Sequence, residues 1–186
     1  MDEKTLITLE YPKILDQLTG YAAFSASAEL ALALHPTNNL ENARGAQKAT
    51  SEARFLLSLY SDFSIGGARD IRPLAKQANR GGVLTPSELQ DVRNTLTSGR
   101  ELARVFERRF DQFPILAEIS SRLNPPAGII DAISKVISDQ AKVLDNASSK
   151  LASLRREIKI AHERIMTRLE RYLRDSKTTS MLQEAI

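Results

Sequence analysis

Residues 145–175, DNASSKLASLRREIKIAHERIMTRLERYLRD, constrain the fold more than any other stretch of this chain. Leu151, Leu154, Ile158, Ala161, Ile165 and Tyr172 recur at intervals of three and four. That spacing keeps one narrow apolar seam turned toward a partner helix. At about 100° per residue, Arg156, Arg164, Arg171 and Arg174 fall on the side away from the seam. A helix buried by so thin a stripe leaves most of its circumference in water. The spacing therefore predicts a protruding arm and not the centre of a core.

Charge singles out the same stretch. The 186 residues carry a net charge of +3. From Lys150 to Asp175, eight Lys or Arg face four Asp or Glu, a balance of +4, so the remainder sums to −1. The excess basicity suits a phosphate-rich partner. The competing reading is a solvated face laced with ion pairs such as Glu170 to Arg174. The arm holds one aromatic, Tyr172, and the chain has no Trp, so base stacking is not the expected mode. Contact would be phosphate-directed, salt-sensitive and of low sequence specificity, with Arg156, Arg164, Arg168, Arg171 and Arg174 as the candidate residues.

Length and composition bound the rest. One domain, or one plus an appendage, fits 186 residues. With no Cys, disulfides, thiolate metal sites and cysteine nucleophiles are excluded. The first residues, MDEKTLITLEYPK, lack the pattern of an export signal, and no apolar run approaches the ~20 residues that span a bilayer. The expected setting is cytoplasmic, away from membranes.

Helical periodicity runs through almost the whole chain, and strand signals are nearly missing. Tyr11, Ile14, Leu15 and Leu18 share one face of a segment from Glu10 to Tyr21. Ser25 is the expected cap of a helix over Ala26–Leu34, ending before Pro36. A long amphipathic helix over Leu40–Tyr60 is rich in alanine. Asp70 is expected to cap a short helix carrying Ile71, Leu74 and Ala78. Thr85-Pro86-Ser87-Glu88 is a strong helix start, with a Thr cap, proline at the first turn and Glu three residues later. That helix should run to about Phe110, with Gly99 on its packed side. Phe113-Pro114 opens a further helix through Leu123, and Ile129–Ile137 forms another. Asp139–Asp145 has no helical period and reads as a hinge. Ser176–Ser180 reads as a second break, and the abrupt apolar end at Ile186 reads as the boundary of a longer chain.

The search for chemistry comes back empty. His35 and His162 are the only histidines, and neither has partners at metal-ligand spacing. Gly66-Gly67 and Gly81-Gly82 lack the spacing of phosphate-binding loops and read as turns requiring positive φ. No G-x-S-x-G elbow is present. Arg69 and Arg72 could hold a phosphate, but the favoured reading has Asp70 capping the helix while the arginines pair with nearby acids. The expectation is no catalytic, metal or cofactor-binding residue.

Four segments together resemble the MutS-II family, the second bacterial MutS paralogue. They are Leu9-Glu10-Tyr11-Pro12-Lys13-Ile14-Leu15, Gly66-Gly67-Ala68-Arg69-Asp70-Ile71-Arg72-Pro73-Leu74, Gly81-Gly82-Val83-Leu84-Thr85-Pro86-Ser87-Glu88-Leu89 and Val143-Leu144-Asp145-Asn146-Ala147-Ser148. Their order and spacing extend over essentially the whole chain. The resemblance implies an N-terminal core and lever region, all-α, from a dimeric ATPase that embraces nucleic acid with a clamp. It assigns residues 1–138 to a helical core like domain III of MutS, 139–144 to a hinge, 145–175 to the lever helix and 176–186 to the start of the clamp region. ATP and Mg, and the family's C-terminal nuclease-like Smr domain, belong by this resemblance to the whole protein. The Walker motifs, the ATPase signature loop and the Smr domain do not occur in these residues, so none of them is assigned an ATP or nuclease role. Asp139-Gln140-Ala141-Lys142 also departs from the family in lacking a glycine at its turn. The implied partners are DNA, branched or duplex, or the ribosome. The implied roles are suppressing recombination and splitting collided ribosomes. The other reading is a helical dimerisation or ribosome-binding adaptor with no direct DNA contact.

Overall fold

The computed structural model describes residues 2–174, with Arg174 as backbone alone. The expected break at Ser176–Ser180 and the clamp start at 176–186 lie outside the described residues. The fold is all-α: among the described residues the named elements are helices, and the only β pairing is a single isolated bridge. Two compact units divide the chain, residues 1–134 and 135–186.

The first unit opens with α1 (Glu3–Thr8), which periodicity alone did not reveal. Its signal is local, the Asp2 carboxylate accepting the Thr5 N–H at 3.1 Å. Glu10 in the left-handed region, φ 54°, separates α1 from α2 (Tyr11–Thr19), whose second residue is Pro12. α3 (Ser25–Leu32) begins one residue earlier than expected. Ser25 is already helical, and the Ser27 hydroxyl instead accepts the Phe24 N–H at 3.2 Å. α2 and α3 pack as a pair, tied by the Tyr11 hydroxyl donating to the Leu34 carbonyl at 3.2 Å.

α4 (Leu40–Leu59) starts at Asn39, whose side chain accepts the Asn42 N–H at 3.0 Å. After α5 (Arg72–Asn79) comes α6 (Pro86–Glu107), and its start is the expected capping box. Thr85 Oγ1 accepts the Glu88 N–H at 3.3 Å, and the Glu88 carboxylate accepts the Thr85 N–H at 2.7 Å. The Thr85 backbone N–H first, and the Thr85 hydroxyl donating to the same carboxylate at 2.9 Å second, hold the Glu88 carboxyl below its ordinary range. α7 (Pro114–Ser121) and α8 (Ile129–Ser134) both pack on α6, and α7 also meets α4.

Where α4, α6 and α7 converge, Leu56, Phe106, Phe113 and Ala117 form the buried centre. Phe106 and Phe113 meet edge to face with centroids 6.4 Å apart, and Phe63 meets Phe106 at 5.9 Å. Such pairs add about 0.5–1.5 kcal/mol beyond burial. The Arg109 guanidinium stacks over the Tyr60 ring, 4.8 Å from its centroid.

In the second unit the backbone turns back on itself before the long helix. Ile137 and Val143 form an antiparallel bridge, Leu144 N–H donates to the Val136 carbonyl at 2.8 Å, and Ser138 N–H to Lys142 O at 2.9 Å. The Ser138 hydroxyl accepts the N–H groups of Gln140 and Lys142 at 3.3 and 3.2 Å. These bonds explain why α8 stops at Ser134 and does not reach Ile137: the following backbone groups are committed to the bridge. At the apex Ala141 has φ 55°, the left-handed conformation a glycine would adopt without strain. A 3-10 turn (Asp145–Ala147) then leads into α9 (Ser149–Arg174).

Candidate nucleic-acid interface

α9 holds 26 residues and is therefore about 39 Å long. The Ser148 hydroxyl caps it, accepting the Leu151 N–H at 3.1 Å. Its base is fastened by Arg155, whose guanidinium donates to the Val143 carbonyl at 3.1 Å and to the Asp145 carboxylate. Charge patterning along the arm did not single out Arg155. The only signal was an acid ten residues earlier, across a turn that periodicity could not fold. The polar segment read as a hinge is thus a bridged turn, bonded directly to the arm.

The apolar side of α9 is broader than the narrow seam expected. Met166, Leu169 and Leu173 join Leu154, Ile158, Ile165 and Tyr172, widening it to about 120° at the usual helical pitch. These side chains are substantially exposed, Ile158 at 67 %.

The candidate arginines fall into two groups. Arg164, Arg168 and Arg171 occupy positions i, i+4 and i+7 and lie within a sector of about 60°. Arg156 stands apart, about 12 Å below Arg164 along the axis and about 80° around it. All four are exposed. Among the described residues none of the four has a carboxylate within ion-pair distance. The Arg174 side chain lies outside the described structure, and so does its expected pairing with Glu170.

Arg69 and Arg72 behave differently. Arg72 donates through Nε and Nη2 to Asp70 at 2.8 and 2.6 Å, and Nη2 also meets Glu29 at 2.8 Å. Asp70 accepts the Arg72 backbone N–H at 3.1 Å as well, and the Ser25 hydroxyl at 3.3 Å, but the N-cap position of α5 is Ile71 and not the expected Asp70. The Arg72 side chain holds the Asp70 carboxyl far below its ordinary range, and Asp70, then Glu29, raise the Arg72 guanidinium. Arg69 pairs with Asp91 at 3.2 Å, and its backbone N–H donates to the Thr95 hydroxyl at 2.9 Å. Both arginines are spent on fastening the loop to α3 and α6. Gly66, at φ 70°, approaches Ser98 so closely that a Cβ would sit 2.7 Å from its hydroxyl. Gly81 also has positive φ, as expected of a turn.

The first unit carries an apolar groove of about 280 Å³ between α4, α6 and α7, lined by Leu57, Phe63, Leu102, Ile119 and Leu123. Ser120 is its one hydroxyl, and it already donates to the Ala117 carbonyl at 3.0 Å. Among the described residues no group of three His, Cys, Asp or Glu could hold a metal ion. No described helix is long and apolar enough to cross a membrane.

These features define an all-α protein with a long, exposed basic helix. No protein-family model matches the chain. Curated proteins do. A protein named Endonuclease MutS2 from Pelotomaculum thermopropionicum is 37 % identical over 186 residues, 100 % of this chain and 24 % of its own length. The Endonuclease MutS2 of Thermomicrobium roseum is 35 % identical over 176 residues, 93 % of this chain and 22 % of its own, and that of Bacillus cereus is 34 % identical over 189. The chain belongs to the MutS2 family. It spans about a quarter of the length of the curated relatives it matches.

Proposed function

We propose that this chain is the non-catalytic core and lever of a MutS2-type protein, coupling a nucleic-acid clamp to ATPase domains outside these residues. Residues 1–138 act as the core, 139–144 as the joint and 145–175 as the lever, with 176–186 leading into the clamp. The whole protein is a homodimeric ATPase using ATP and Mg, with endonuclease activity. It works in the cytoplasm on branched DNA to suppress recombination, or on stalled ribosomes. The observation that carries this reading is the 26-residue arm whose Arg156, Arg164, Arg168 and Arg171 stand exposed with no ion-pair partner among the described residues, in a chain matching MutS2 relatives end to end. The arm engages nucleic acid through those residues and Arg174.

Titration of the 186-residue protein with branched and linear duplexes at several salt concentrations tests this. Binding at low salt that weakens steeply as salt rises, and that is lost when the five arginines become Gln, is the expected result. No binding at low salt, or binding indifferent to the five substitutions, rejects DNA engagement by the arm.

The exposed apolar side of α9 favours a second reading, a dimerising or ribosome-binding adaptor with no direct DNA contact. Sedimentation of the full chain and of a truncation ending near Lys142 separates the two. A monomer at high concentration in both counts against self-association through the arm.

A further inference from the structure

Arg164, Arg168 and Arg171 are each other's neighbours on α9, at i,i+4 and i,i+3 spacing. Like charges at such spacings destabilise an isolated helix by a few tenths of a kcal/mol per pair. Within the described helix, the residues three and four positions away from Arg164 and Arg168 include no acid to offset this. The one carboxylate in the same sector, Glu157, lies about two turns below Arg164 and accepts the Ser153 hydroxyl at 3.2 Å. The helix thus concentrates three exposed arginines along an edge of about 10 Å. Elsewhere in the chain Arg69, Arg72, Arg122 and Arg155 each meet a carboxylate.

We infer that Arg164, Arg168 and Arg171 form a single phosphate-binding edge for the backbone of a nucleic-acid duplex lying along α9. Each strand presents one phosphate per about 3.4 Å of duplex axis, so the edge matches roughly three consecutive phosphates. Planar guanidinium groups suit such oxygens because they donate two parallel hydrogen bonds. A duplex is favoured over a single strand because the edge has no ring on which an unpaired base could stack; Tyr172 lies with the apolar side chains. Contacts confined to phosphate carry no sequence information. This inference rests on the proposed engagement of nucleic acid by the arm and narrows it to one edge.

The test uses the full chain, a fluorescent duplex of mixed sequence and the matching single strand, with anisotropy read across a salt series. Two variants are compared, R164Q/R168Q/R171Q and K159Q, a cation on another side of the same helix, each checked for unchanged helicity by circular dichroism. The triple variant should lose at least tenfold in duplex affinity at low salt, and its salt slope should flatten by about 2.7, or 0.9 for each of three phosphates. K159Q should stay within about twofold of the parent, since Lys159 meets none of those phosphates. If the parent binds duplex but K159Q weakens it as much as the triple change does, or the triple change has no effect, the edge is refuted while DNA engagement stands. Tighter binding to the single strand also overturns the duplex assignment. If the parent binds neither strand form at low salt, the broader reading falls with it.

Discussion

The carboxylate of Glu52 in α4 accepts the backbone N–H groups of Ile115 and Leu116, both at 3.0 Å through Oε2, across more than sixty residues of sequence. α7 lacks a side-chain cap of its own, because its N-cap position is Phe113, a buried ring. A charge from another helix therefore satisfies the donors that a first turn leaves open, where the helix dipole also favours a negative charge. Replacing Glu52 by Ala should cost about 1–3 kcal/mol, the penalty of leaving partly buried donors unpaired, and Gln should recover part of it. Urea unfolding followed by circular dichroism reads this as a lowered midpoint at constant slope.

The turn around Gly66 should be intolerant of a side chain. Gly66→Ala faces both the left-handed backbone and the Ser98 hydroxyl. A destabilisation of about 2 kcal/mol or more is expected, of which the backbone share is about 1–2 kcal/mol. Adding Ser98→Gly should recover the steric share alone. Equal midpoints for the single and double variants would show that Ser98 does not set the limit.

Acid should loosen the fastening of α5 to α3. The Asp70 carboxyl titrates far lower in the folded chain than its unfolded value near 4, so its contribution is fully present above about pH 4. It is lost progressively as pH falls from there toward the folded value. Thermal midpoints of the parent should therefore drop more steeply between pH 4 and pH 2 than those of Asp70→Asn. Parallel curves would remove Asp70 from the acid response.

Ala141 offers the opposite case, a site where glycine should help. Its left-handed backbone costs about 1–2 kcal/mol, partly offset in Ala141→Gly by the extra freedom of glycine when unfolded. A net gain of up to about 1 kcal/mol is expected at the turn. Slower hydrogen exchange at Lys142 and Leu144, whose N–H groups close that turn, would register it.

Local signals in the sequence were reliable where a helix declares itself by its own residues. The Thr85–Glu88 capping box, the alanine-rich α4 and the long basic helix are all of that kind. What stayed hidden depended on partners far along the chain. Glu52 reads as one more surface acid until α7 is folded against it. Arg155 looks equivalent to Arg156, yet one is bound to Asp145 and Val143 while the other meets no carboxylate among the described residues. The polar run 139–144 gave no period because its order comes from bridge hydrogen bonds and a serine hydroxyl, neither of which has a repeat. The two arginine groups on α9 were set by spacing, but the lack of acid partners could only be seen in three dimensions.

The Arg155 fastening gives α9 a mechanical gain. Because the guanidinium grips both the carbonyl of Val143 and the carboxylate of Asp145, the first turns of the helix follow the bridged loop. A rotation of that loop by about 10° would sweep Arg171, some 33 Å up the axis, through about 6 Å. That is roughly the rise of two nucleotides along a duplex, so under the proposed engagement a small angular change at residues 136–147 would be enough to shift the guanidinium edge from one set of phosphates to the next.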